Sequence, residues 1–165
     1  AGIVTTSSNG TIGANAITIT GISTVGVSVG YLVDTQHFRG GAKVKALGAN
    51  QVTVDKTSTN TASAANQSVK FLGPTTSYAS PASTKSILIG GTFSNLTNNN
   101  VNITVEIVTG VTSTTIANDI PVPTGSSFVI SDAGKTVLAG GDVVNIYCDT
   151  ENAIDVTLGV LQGVN

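Results

Sequence analysis

The residues able to do chemistry are few. The chain has 165 residues, one histidine (His37) and one cysteine (Cys148). Asp34 lies three positions before His37, and serines are abundant. An imidazole between a carboxylate and a hydroxyl is the arrangement that activates a serine nucleophile. That chemistry also needs the nucleophile raised on a strand–turn–helix elbow, and no serine here sits in such a stretch. His37 therefore reads as a polar loop residue. His37 and Cys148 are 111 positions apart and offer no metal-ligand spacing. Asp142, Asp149, Glu151 and Asp155 could give oxygen ligands to Ca²⁺, but the spaced Asp-x-Asp-x-Asp-Gly loop is missing, and the group reads as a solvated strand end and turn. Gly40-Gly41 and Gly140-Gly141 precede neither a helix nor a Lys-Ser/Thr pair, so they are not phosphate loops. Asn-x-Ser/Thr sequons begin at Asn9, Asn66, Asn95 and Asn102, as chance allows in a chain so rich in Asn and Thr. Cys148 follows Tyr147 in an apolar run and reads as a small buried residue. The expectation is a non-enzymatic protein with no catalytic residues, no cofactor and no metal.

The elements that would position any site are strands. Val101, Ile103, Val105 and Ile107 alternate with Asn102, Thr104 and Glu106. This period of 2 marks a strand with one dry face and one wet face. Ile154, Val156, Leu158 and Val160 repeat the pattern. Such faces need a covering layer, so the second half is expected to be an antiparallel β-sandwich, jelly-roll or immunoglobulin-like, of about eight short strands. In the first half, residues 1–14 read as an arm or a first edge strand. Residues 16–20 read as a strand, residues 42–47 and 51–55 as a hairpin around Asn50, and residues 67–72 as a closing strand. Gly73-Pro74 and Ser80-Pro81 bracket a segment that reads as a semi-rigid linker. The expected division is an N-terminal β module over 1–73, a linker over 74–83 and the sandwich over 84–165. Two short strands are expected around a turn at Asp132-Ala133-Gly134, and no window has a helical period.

Composition narrows the function. Charged residues make up 10% of the chain, with 19 Gly, no Trp and no Met, against about 25% charged in an average domain. A surface of Ser, Thr, Asn and backbone loses little side-chain entropy when covered, which suits packing against another protein or a further copy. The net charge of −2 implies no general affinity for nucleic acid, and no apolar run approaches the roughly 20 residues that span a bilayer. No leader pattern opens the chain, and Ala1 fits removal of an initiator Met. Synthesis in the cytoplasm is the expectation. Through Gly73, five Lys and Arg stand against two Asp, a balance of +3, and from Pro74 two Lys stand against seven acids, a balance of −5. Unlike halves suggest unlike partners.

Four segments carry a family resemblance: Lys85-Ser86-Ile87-Leu88-Ile89, Val101-Asn102-Ile103-Thr104-Val105, Ile120-Pro121-Val122-Pro123-Thr124-Gly125-Ser126-Ser127 and Leu138-Ala139-Gly140-Gly141-Asp142-Val143-Val144. Together they resemble the C-terminal β-sandwich of small virion proteins of tailed bacteriophages, in which a Pro-x-Pro-x-Gly-Ser loop and a late Gly-Asp-x-(Val/Ile) turn recur. The first half is similar to small β modules of phage head and tail accessory proteins. The resemblance implies a capsid decoration or cement protein on the capsid exterior of the virion, with the major capsid protein as partner. It also implies self-association, a trimer being one form that such proteins take. A tail or fibre module contacting a host surface is the alternative, and 3 Tyr and 4 Phe give it little aromatic material. With acidic shells in view, the +3 half is the expected docking half. Its candidate docking residues are Arg39, Lys43 and Lys45, the two lysines flanking Val44 on one strand.

Overall fold

The computed structural model describes residues 1–131 and 135–164, so the expected turn at 132–134 lies outside the described residues. The described chain is all-β, with fourteen strands, antiparallel pairing throughout and no helix. It divides into two compact units, residues 2–73 with 147–151, and residues 1, 74–146 and 152–165.

The first unit is one sheet with the order β3-β6-β1-β2-β5-β4. Its strands are β1 (Ile3–Ile12), β2 (Thr18–Thr20), β3 (Leu32–Asp34), β4 (Val44–Gly48), β5 (Gln51–Val54) and β6 (Ala64–Gly73). The two outer strands are bonded to each other. The amides of Gly30 and Val33 donate to the carbonyls of Val44 and Ala42, and the Val44 amide donates to Tyr31, each at 2.8 Å. The sheet thus closes at this seam into a small barrel, while residues 45–48 of β4 pair only with β5. Ile12, Ile19, Val44, Val52, Val69 and Phe71 fill its interior. The N-terminal stretch expected as an arm or edge strand is an internal strand, paired with β2 and β6. Its Ser- and Thr-rich residues alternate only weakly in burial, which hid a ten-residue strand. Between β2 and β3, Val27 is buried while Val25 and Val29 face solvent.

The second unit is a β-sandwich of two antiparallel four-stranded sheets. One has the order β10-β9-β13-β7, from β7 (Thr75–Ala79), β9 (Val101–Thr109), β10 (Thr112–Val122) and β13 (Val143–Cys148). The other is centred on β8 (Lys85–Asn95). β14 (Ile154–Val164) runs along one side of β8, and β11 (Ser127–Ile130) and β12 (Thr136–Leu138) lie end to end along the other. The stretch expected as a linker over 74–83 is partly a correction, because residues 75–79 form β7 and pair with β13. Pro74 and Pro81 stand outside the strand, so every residue between 75 and 79 keeps its ladder amide. β8 continues through Gly90 and Gly91. A Cβ on Gly91 would lie 2.7 Å from Leu158 Cδ2, so the glycine lets β14 approach.

Val101, Ile103, Val105 and Ile107 are buried as their alternation requires. Thr104, expected on the wet face, is buried as well. β10 is irregular between Ala117 and Ile120, and there the Asp119 amide donates to Thr104 Oγ1 at 3.0 Å. Polar bonds join the two sheets. Tyr78 Oη and Ser86 Oγ are 2.8 Å apart. Asn95 is buried, and its Nδ2 donates to the carbonyls of Asn99 at 2.8 Å and Val122 at 2.9 Å. Its Oδ1 accepts from the Thr97 amide and hydroxyl at 2.8 and 2.9 Å. The Pro-Val-Pro-Thr segment is held to the same loop, with Thr124 Oγ1 donating to Thr97 O at 3.0 Å.

Candidate docking surface

The candidate catalytic pair is dispersed. His37 Nε2 is 2.8 Å from Gln67 Oε1, and its carbonyl accepts from Thr59 Oγ1. Asp34 sits instead by Lys70 and Glu151. Burial raises the Asp34 pKa against the opposing pull of the Lys70 ammonium, and the Glu151 charge raises it further. Lys70 Nζ bonds Glu151 Oε2 at 2.6 Å, and that bond holds its ammonium above the usual lysine value. The four late carboxylates also go separate ways. Asp142 Oδ2 closes its turn by accepting from the Ala139 amide at 2.8 Å. Asp149 lies against Gly40, where a Cβ would come within 2.6 Å of its Oδ2. Glu151 pairs with Lys70, and Asp155 is exposed on β14. Among the described residues no three His, Cys, Asp or Glu side chains form a metal-binding group. Cys148 is buried, and desolvation pushes its thiol up to about 11.

The barrel carries an open cleft of about 680 Å³ lined by Asn15, Arg39, Lys56, Thr57, Ser58 and Thr59. Two loops build it. Phe38 is buried and anchors the β3–β4 loop, leaving the neighbouring Arg39 exposed. The β5–β6 loop supplies the other wall and is pinned from below. Ser58 Oγ accepts from the Ala16 amide and donates to Gly13 O, both at 2.9 Å. Asn15, at φ 48°, turns the chain at the rim, and its amide donates to Asn60 O at 3.1 Å. Lys56 Nζ donates to Gly40 O at 2.6 Å, which ties the two walls together. Arg39 makes no hydrogen bond or ion pair among the described residues, so its guanidinium is free for an incoming acceptor. A cation fixed beside a free guanidinium, with threonine hydroxyls around it, suits a carboxylate or another small anion.

The three candidate docking residues are not one patch. Arg39 belongs to the cleft and joins Lys56, a residue the sequence reading did not single out. Lys43 is half-buried at the barrel seam, its amide donating to Asp55 Oδ1 at 2.7 Å. Lys45 is exposed at the irregularity between Val44 and Ala46, which interrupts the strict alternation expected to put both lysines on one face. The charge asymmetry also shrinks. Residues 147–151 fold into the barrel unit and bring Asp149 and Glu151 with them. The five cations of that unit then meet four carboxylates, a balance of +1 in place of +3, and the sandwich unit carries −3. What distinguishes the barrel is local, a free Arg39 beside Lys56, and not a net field.

Compared with protein-family models, with curated proteins and with solved structures, the chain matches none of them.

Proposed function

We propose that this chain is a non-enzymatic virion protein that binds the outer surface of an assembled phage capsid and stabilises it. The observation that carries the reading is the union of a charge-poor β-sandwich, bearing the Pro-Val-Pro-Thr-Gly-Ser and Gly-Gly-Asp segments of the phage resemblance, with a barrel that offers an uncompensated guanidinium in an open cleft. The partner is the major capsid protein. An acidic side chain of the shell enters the cleft between Arg39 and Lys56, and the surrounding Ser, Thr and Asn surface supplies most of the contact area. Binding only the assembled shell stabilises that form by mass action, with no reaction to catalyse. The cleft charges chiefly set orientation and encounter rate.

The test uses shells stripped of this protein and the purified full chain. Added chain is expected to raise the temperature at which the shells open, and to bind in hundreds of copies per particle. Arg39→Glu should slow binding, with the deficit shrinking as salt rises, because the Debye length is about 10 Å at 0.1 M and shorter above it. A handful of copies located at the tail, with no change in shell opening, would overturn the reading.

A further inference from the structure

The outer face of the β8 sheet has the wrong polarity for solvent. In an antiparallel sandwich the outer faces are normally polar. The other sheet obeys this, with Asn102, Glu106, Asn145 and Thr76 outside, Thr76 Oγ1 donating to Asn145 Oδ1 at 2.8 Å. On the β8 sheet the register puts Val137, Ile87 and Leu161 in one row, and Val129, Thr92 and Thr157 in a second. Ile89 stands between the rows, as the β8 residue that the β14 register skips between Gly90 and Leu88. These side chains are uncovered: Val137 is 62% exposed, Val129 56%, Leu161 52% and Ile89 39%. A contiguous apolar face of this kind marks an interaction surface.

We infer that this face joins two copies of the chain, packed sheet on sheet about a two-fold axis that crosses the strands near Ile89. The occupant is identified by charge. Lys85 is exposed at one end of the face, and Asp155, opposite Ser94, is exposed at the other. Neither has an ionic partner among the described residues. The two-fold turns one copy end for end, so Lys85 of each meets Asp155 of the other, and the Val137–Ile87–Leu161 row of each lies on the Val129–Thr92–Thr157 row of the other. A face that is complementary to itself in both charge and apolar pattern is what an isologous dimer requires. Lys135 is exposed just before β12, at the rim, where its ammonium stays in water. Eleven residues at about 3.3 Å each and three strand positions about 4.8 Å apart make a face of roughly 36 by 14 Å. That is on the order of 500 Å² per copy and about 1,000 Å² in all, the lower bound for a specific interface, so association should be reversible and micromolar. The inference does not depend on the capsid role.

Sedimentation equilibrium of the full chain from about 1 to 100 μM tests it, a range that brackets a micromolar constant. The expected result is a rise from 16.5 kDa towards twice that mass. Lys85→Glu and Asp155→Lys should each weaken the dimer about tenfold, and the double exchange should restore it, since it rebuilds both pairs in reverse. Leu161→Gln with Val137→Thr should leave a monomer. Circular dichroism melts identify any variant that fails to fold, and the charge exchange, made at two exposed positions, keeps the test open if the apolar variant does. A wild type that stays monomeric at 100 μM, a mass of three copies, or a double exchange no better than the single changes would overturn the inference. Failure of shell binding with the dimer intact would count against the proposed function alone.

Discussion

Replacing Asn95 with aspartate changes one atom and reverses the polarity of a buried junction. Nδ2 of Asn95 donates to two carbonyls, at 2.8 and 2.9 Å. In the variant a carboxylate oxygen would face both of them. Two lost hydrogen bonds cost about 1 kcal/mol each, and holding a carboxylate in a desolvated pocket lined by carbonyl oxygens adds several more. The expected loss is about 4 kcal/mol at pH 7. The carboxyl should titrate above its unfolded value, because its neutral form is the one the site accepts and can donate to one carbonyl. A carboxyl with a raised folded pKa loses stability as pH rises, so the deficit should be smallest near pH 4 and grow through the window above it. Asn95→Ala, which loses all four bonds and leaves the Val122 carbonyl without its donor, should cost about 2–3 kcal/mol with no such dependence. Urea unfolding of the sandwich transition, measured as the difference from wild type between pH 4 and pH 8, reads both. An aspartate variant within about 1 kcal/mol of wild type, or with a flat pH profile, would refute the account of this junction.

Other outcomes follow from the same geometry. Ile103→Asp places an unpaired charge in the dry layer and should abolish the sandwich transition, while Thr104→Val should cost about 1–2 kcal/mol by stranding the Asp119 amide; equal losses for the two would show that the burial of β9 is misjudged. The Cys148 thiol should be inert to aromatic disulfide reagents at pH 8 in the folded chain and react fully in urea. Because its folded value is raised from 9.0 to about 11, stability should be unaffected below pH 9 and fall by up to about 3 kcal/mol between the two values. Asp34→Asn should stabilise the barrel at pH 7, where the wild-type carboxylate is ionised against its burial, and the gain should vanish below pH 3.8; a gain that persists at pH 3 would remove burial as its cause. Cleavage after Gly73 should leave a 1–73 fragment less stable than the barrel of the intact chain, since residues 147–151 depart with the other piece, and adding the 74–165 piece back should restore it.

The strands that could be read from sequence were those with apolar contrast. β9, β13 and β5 alternate Val or Ile with polar residues, and burial follows, whereas in β4 only Val44 is buried. β1 was obscure because its middle, Thr5-Thr6-Ser7-Ser8-Asn9, has no large apolar residue of its own although it pairs with Val69 and Phe71, and β7 because its bracketing prolines look the same whether they border a strand or a linker. Thr104 was misplaced since its burial depends on an irregularity in β10, fifteen residues away at Asp119. Closure of the barrel was invisible, for it rests on backbone bonds of 30–33 to 42–44 that no side chain announces. For the cleft, Arg39 was named as a docking residue while Lys56 was only one of the counted charges, because two separate loops bring the pair together. The apolar face of the β8 sheet escaped because its valines and leucine come from three strands, and each alone reads as an ordinary exposed residue.

The borrowed segment 147–151 sets a timetable for folding. β6 ends at Gly73, so every strand of the barrel sheet exists once that residue is made. The segment that finishes the unit, with the Glu151 partner of Lys70, comes 74 to 78 residues later. At about 5–20 residues per second a ribosome needs roughly 4–16 s to cover that interval. β1 already pairs with a strand some 60 residues away, and long-range pairing of this kind slows the search by itself. A nascent chain stalled before residue 147 should therefore hold a formed sheet without its lock, open to protease in a way that the released chain is not. Synonymous changes that slow translation across 74–146 would prolong that state, and lower the yield of folded protein without altering a single residue.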